Sequence, residues 1–170
     1  NILEHDLAPI VQDENNPSVA VVAVTWGPLL AALATWVNVL LGEVGKLGLV
    51  PWVDPLKLGE AGWGIIFPAK MMPDRVKAIK GVLQPLLTVR EQQAGQYYKV
   101  YEGGVGYRPG EDARAFLRRL GADPAQPADP KETGVPYYLL LVGSPEEIPF
   151  EFQYGLDVQY AVGRIDFDDV

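Results

Sequence analysis

Val135–Asp168 reads VPYYLLLVGSPEEIPFEFQYGLDVQYAVGRIDFD, and its first half decides the fold class. Tyr137–Val142 is an unbroken apolar run rich in β-formers, bounded by Pro136 and Gly143. A half-exposed strand would alternate polar and apolar residues. The unbroken run instead predicts a central strand of a parallel sheet, covered on both faces. Gly143-Ser144-Pro145 and Ile148-Pro149 then place a turn at the carboxyl end of that strand. In an open α/β sheet this is the edge where crevices form.

Working back along the chain, the same alternation of elements recurs. Trp63–Phe67 is a short apolar strand closed by Pro68, and Pro73-Asp74 opens a helix with proline early and an acid in the first turn. Val76, Ile79, Val82, Leu83, Leu86 and Leu87 form an apolar stripe at helical spacing, so one helix is expected from Asp74 to Ala94, kinked at Pro85 and capped by Gly95. Gln96–Tyr101 supplies a second strand and EGGVGYRPGE a glycine turn. Glu111–Leu120 is a helix with Ala115, Phe116 and Leu120 inward and its arginines outward, ended by Gly121. Asp123–Gly134, rich in Pro and Asp, reads as a surface loop. Strand, helix, strand, helix, strand implies a three-layer α/β sandwich with a mostly parallel sheet and right-handed crossovers.

The first 60 residues read differently. Asn1–Pro17 is polar and irregular, and Gly42–Gly62 is a connector punctuated by glycines, Pro51 and Pro55. Between them, Val19–Leu41 carries no charge and is long enough to span a bilayer as a helix. Gly27-Pro28 breaks that run into a strand-like Val19–Val24 and a helix over Pro28–Leu41, and the flanking charges are acidic. The expectation is therefore an apolar strand/helix element at 1–60, not inserted in a membrane, preceding an α/β domain at 61–170. No signal peptide is visible, the compartment expected is cytoplasmic, and the chain reads as a piece of something longer.

Composition excludes several classes of function. The 170 residues carry a net charge of −8, which argues against a general nucleic-acid binder. The short basic clusters, Arg75/Lys77/Lys80 and Arg114/Arg118/Arg119, fall on helices as solvated faces. Cysteine is absent, so the chain holds no disulfide, thiolate metal site or thiol nucleophile. The one histidine, His5, lies in the irregular amino-terminal stretch and reads as a solvated residue. No catalytic residue, metal or cofactor is assigned.

Further groups each admit a plainer reading. Gly103-Gly104-Val105-Gly106 lacks the GxGxxG or GK[ST] spacing of a phosphate loop and reads as a turn. Asp157, Asp166, Asp168 and Asp169 lack EF-hand spacing and read as loop acids. Asp157 stands among apolar residues, and a structural pair with Arg164 is expected. Ser144, Glu146 and Glu147 follow the central strand at the sheet's working edge and, with Asp157, are the candidate substrate-binding residues. Adjacent glutamates diverge, and Ser144 has no G-x-S-x-G elbow around it. The four tryptophans read as core or boundary anchors.

The carboxyl third resembles a segment of gingipain-type, caspase-fold cysteine peptidases. The resemblance is carried by Leu139–Gly143 (LLVG), Ile148-Pro149, the Asp157–Tyr160 stretch and Val162–Ile165 (VGRI). It implies a caspase-like sandwich in which VGRI is a strand and the catalytic His and Cys stand on strands further along. The chain would then be the amino-terminal, non-nucleophilic part of a hydrolase, inactive alone. Its partners would be the remainder of the same protein or a Cys-bearing chain, and its substrate a protein or peptide. A non-enzymatic α/β regulatory or interaction module is the alternative, its apolar block docking on a partner. A phosphate-binding enzyme using Gly103–Gly106 is a third.

Overall fold

A computed structural model of the chain describes residues 48–167. His5, the apolar block Val19–Leu41 and the terminal Asp168 and Asp169 lie outside the described residues. The run expected to be a central strand is one: β3, Tyr138–Val142. It pairs in parallel with β1, Trp63–Ile66, from Trp63↔Tyr138 to Ile66↔Leu141. On its other side it pairs in parallel with β4, Ala161–Ile165, from Tyr138↔Ala161 to Val142↔Ile165. β2, Tyr98–Tyr101, joins the far side of β1, giving an all-parallel sheet in the order β2-β1-β3-β4.

Two cores explain why β3 is apolar at every position. Leu139 and Leu141 enter one cluster with Ile66, Tyr101, Phe116 and Phe152. Tyr138, Leu140 and Val142 enter the other with Trp63, Ile65, Phe67, Val76 and Ile79. Successive side chains of a strand point to opposite faces, so a strand sandwiched between two helical layers shows no polar phase.

The helical layers follow from the strand order. β1 connects to β2 through α2 (Pro73–Val82) and α3 (Gln84–Ala94), whose buried residues lie in the second cluster. β2 connects to β3 in the opposite direction, through α4 (Ala113–Arg119), which packs in the first cluster. A constant crossover hand requires that such a reversal move the helix to the other face. α6 (Phe150–Asp157), between β3 and β4, lies on the same face as α4. Two short helices complete the set, α1 (Leu58–Ala61) before β1 and α5 (Pro130–Thr133) before β3. The result is the three-layer α/β sandwich expected.

Several local expectations are corrected. The single helix Asp74–Ala94 is two helices broken at Leu83, because Pro85 has no N–H to donate and stands in the first turn of α3. Val76, Ile79, Leu83 and Leu87 are buried, whereas Val82 and Leu86 face outward. In α4 the inward residues are Ala113, Phe116 and Leu117, and Ala115 is exposed. Asp112 sets that phase, its Oδ1 accepting from Ala115 N at 2.7 Å as the N-cap.

The described part of the connector before β1, residues 48–62, belongs to the α/β body. Val50 N donates to Ala128 O at 3.0 Å, Ala128 N to Gly48 O at 2.8 Å, and Tyr137 N to Ala61 O at 2.7 Å. Val50, Val53 and Ala61 form a small core with Tyr137 and Tyr138 packed against it. Residues 48–60 are thus part of the domain, and a boundary at residue 60 would cut through packed structure. The Asp123–Gly134 stretch is likewise more than a surface loop. Asp129 is buried, caps α5 by accepting from Lys131 N and Glu132 N, and accepts from Trp52 Nε1. Gln159 Nε2 donates to the Pro124 and Gln126 carbonyls at 2.7 Å each, tying the end of α6 to the same stretch.

α6 itself was not anticipated, since Gly155 interrupts its pattern. An added Cβ at Gly155 would stand 2.8 Å from the Ala113 Cβ, so this glycine lets α6 and α4 approach closely.

Candidate functional site

Between β1 and β3 the connections leave the sheet in opposite directions, the condition for a crevice at the carboxyl edge. The crevice there has a volume of about 270 Å³. Pro68 and Lys70 line it from the loop after β1, Tyr107 and Pro109 from the loop after β2, and Glu146 and Glu147 from the loop after β3. That is below the roughly 300–1,000 Å³ of sites that enclose drug-sized ligands. It accommodates one side chain or a small polar group.

Glu146 and Glu147 diverge as expected of neighbours. Glu147 is tied down: Oε1 accepts from Arg75 Nη1 at 2.7 Å and Oε2 from Ser144 N at 3.2 Å. Gly143 makes this turn possible, with φ 137° and only 2.9 Å between a would-be Cβ and Glu147 Oε2. Glu146 is exposed, and hydrogen bonding from Ser144 holds its carboxyl below the usual range. Glu146 therefore presents a solvated carboxylate to the crevice, Glu147 shapes the loop, and Ser144 serves both.

Asp157 is not part of this arrangement, and the expected Asp157–Arg164 pair does not form. Asp157 is exposed at the end of α6. Arg164 points instead toward the residue one turn earlier, donating from Nε to Gln153 Oε1 at 3.0 Å. Its Nη1 donates to Gly143 O at 2.9 Å and its Nη2 to Ile148 O at 2.7 Å, and the guanidinium lies 5.2 Å from the Phe150 ring centre. Arg164 thus closes the β3–α6 loop by gripping both of its ends. Asp157 and Asp166 are exposed and hold no shared ligand geometry, and among the described residues no group of three or more His, Cys, Asp or Glu is placed to hold a metal.

The glycine loop after β2 is a brace. Gly106 packs where an added Cβ would be 2.4 Å from Phe67 O, and Tyr107 N donates to that same oxygen at 2.9 Å. The loop's carbonyls face arginines: Arg108 Nη2 donates to Gly104 O, and Arg119 Nη2 donates to Gly106 O at 2.9 Å. Outward-facing carbonyls repel phosphate, so the loop supports the crevice wall.

Two arginines assigned to solvated faces are structural. Arg75 crosses from α2 to Glu147, and its Nη2 also reaches the Phe167 carbonyl. Arg119 forms a two-pronged pair with Glu111, Nε to Oε1 at 2.8 Å and Nη2 to Oε2 at 2.7 Å. Their partners are remote in sequence or lie across a helix cap, so helix periodicity carried no signal for them. Arg114 and Arg118 are exposed, as expected.

No protein-family model, curated protein or solved structure matches this chain.

The geometry allows binding and orientation. Glu146 and Lys70 offer exposed charges of opposite sign, and Tyr107, Pro68 and Pro109 give an apolar wall. The described residues contain no thiol and no imidazole, and the group beside Ser144 is the Glu146 carboxylate. No helix among the described residues is long and apolar enough to cross a membrane.

The Glu111–Arg119 pair yields a pH prediction. Burial opposes ionisation of Glu111, but the hydrogen bonds from Arg119 and the Arg108 N–H outweigh it and hold the carboxyl below its ordinary 4.5. The folded-state value is thus depressed. The associated stability is present above about pH 4.5 and is lost as pH falls through the folded-state value. Urea midpoints measured from pH 7 to pH 3 are expected to show Glu111→Gln lowering stability at neutral pH and flattening the acid limb. An unchanged limb would mean the pair contributes nothing.

Proposed function

We propose that this chain is the front, non-nucleophilic portion of a gingipain-like, caspase-fold cysteine peptidase. It supplies sheet strands and a substrate-facing crevice to a centre whose Cys and His come from the remainder of the protein or from a partner chain. The observation that carries this reading is the Arg164 grip: the LLVG turn and the VGRI strand, the two elements of the resemblance, form one physical unit across adjacent parallel strands.

Two features support it. β4 is the outer strand of the order β2-β1-β3-β4, and its far edge pairs with no described strand, so the sheet can grow there. The crevice offers a solvated carboxylate, Glu146, in a space sized for one side chain of a peptide. An imidazole-activated thiolate on an added strand would be the nucleophile. Ser144, Glu146 and Glu147 would form a substrate-facing loop, with Glu146 the group that meets substrate.

The test compares residues 1–170 with the gene product extended past Val170, on a fluorogenic peptide mixture with and without iodoacetamide. Cleavage by the extended product alone, abolished by iodoacetamide, is the expected result. Cleavage by residues 1–170 themselves, or a mature protein ending at Val170 with no Cys-bearing partner, overturns the proposal.

A second reading, a non-enzymatic interaction module, draws on Val82, Leu86 and Val89, apolar residues exposed along α2 and α3. A monomer by light scattering that binds no apolar dye would count against it.

A further inference from the structure

The carboxyl-edge crevice has a counterpart at the other end of the sheet. There Trp63 and Tyr138, the paired first residues of β1 and β3, face a cleft of about 600 Å³ closed by Pro55–Gly59 and by Arg90 and Gln93 of α3. This volume is within the range of small-molecule sites. The walls are fixed: Trp63 stacks on Tyr98 at 5.9 Å between ring centres, and the Tyr138 hydroxyl donates to Pro55 O at 2.9 Å. At the rim Leu56 is 90% exposed, an apolar side chain without a packing partner.

Arg90 is the unusual member. Its Nη1 donates to Gln93 Oε1 at 2.8 Å, but its Nε is hidden from solvent with no acceptor, the one such side-chain atom among the described residues. It makes no ion pair among the described residues, whereas Lys57 at the rim is bridged to both Asp54 and Glu60. A hidden donor without an acceptor is costly, and such atoms call for an explanation. Nη1 is taken by Gln93 and Nε lies out of reach where it stands, so Nη2, which donates to nothing among the described residues, is the nitrogen left to meet a carboxylate oxygen.

We infer that this cleft binds a small organic carboxylate, its acid group on the Arg90 guanidinium and its apolar body against Trp63, Tyr138 and Leu56. One cation without an ion pair in the cleft, on a chain of net charge −8, matches a monoanion with an apolar body and disfavours a phosphate dianion. The inference stands apart from the peptidase proposal, since the cleft lies at the opposite end of the strands from the crevice.

The test uses the full 170-residue chain and the probes 4-fluorobenzoate and 4-fluorobenzamide, followed by ¹⁹F NMR, with the tryptophan indole N–H resonances as the reporter of place. The acid is expected to bind saturably, about tenfold or more tighter than the uncharged amide. It should move the Trp63 resonance and leave Trp52 in place. Arg90→Gln should abolish the preference for the acid, and Arg90→Lys should restore only part of it. N-acetylphenylalanine serves as a third probe. Tighter binding than 4-fluorobenzoate assigns the carboxylate to a peptide terminus, weaker binding to a free aromatic acid, and both support the site. Equal binding of acid and amide, no saturation at millimolar concentration, or a preference unchanged in Arg90→Gln overturns it. The comparison of acid with amide on the native chain decides the matter even if the variants do not fold.

Discussion

Arg164→Met is expected to lower stability by about 3 kcal/mol and to loosen the turn from Gly143 to Pro149. The guanidinium serves three acceptors at once, the carbonyls of Gly143 and Ile148 and the side chain of Gln153. Each hydrogen bond from a charged donor is worth about 1.5–3 kcal/mol, and a partly buried carbonyl left without its donor loses more than the bond itself. Methionine retains an unbranched apolar stem, so the loss reports the charged head, its place over the Phe150 ring included. Arg164→Lys should recover little, because a single ammonium cannot meet three acceptors fixed in different directions. Asp157→Asn should change stability by less than about 0.5 kcal/mol, as Asp157 is exposed and meets none of this network. Urea unfolding gives the energies, and amide exchange at Glu147 and Ile148, whose N–H groups donate to Ser144 O, reports the turn. Equal losses for Asp157→Asn and Arg164→Met would restore the pair expected from sequence and remove the grip on which the functional proposal depends.

Phe116→Ala is expected to cost about 3–5 kcal/mol, the range for deleting a buried aromatic ring. Phe116 is 0% exposed and meets two elements besides its own, Tyr101 of β2 edge-on at 5.9 Å and Phe152 of α6 at 5.3 Å and 89°. The Arg119 guanidinium also lies 5.1 Å from its ring centre. The cavity left by alanine would therefore sit where α4, α6 and the sheet converge, with no side chain free to collapse into it. Phe116→Leu, closer in volume, should cost about 1.5 kcal/mol or less. Thermal and urea unfolding of the two variants checks the order. Similar small losses for both would mean that this layer is loosely packed.

Of the candidate site, its place was readable and its wiring was not. Gly143, Ser144, Glu146 and Glu147 could be placed at the sheet's working edge because an apolar strand ended in front of them. Which glutamate was free depended on Arg75, 72 positions away from Glu147, and no local pattern encodes that distance. For Arg164 the sequence suggests the wrong partner: the spacing to Asp157 is short, but Gln153 is the α6 residue whose side chain turns toward β4. α6 was missed because Gly155 argues against a helix locally, and only the approach of Ala113 gives that glycine its reason.

What the sequence determined by itself is the layer plan: an apolar run without alternation has to be covered on both faces, and stripes at helical spacing have to cover it. These are properties of single segments, so they can be read one segment at a time. The tertiary structure alone decided the strand order, the joining of residues 48–60 to the body, the Arg164 grip and the lone guanidinium of Arg90. Each of these is a relation between groups distant along the chain. A hydrogen bond or an unmet donor is set by where side chains arrive in space, and residue type at one position carries no record of it.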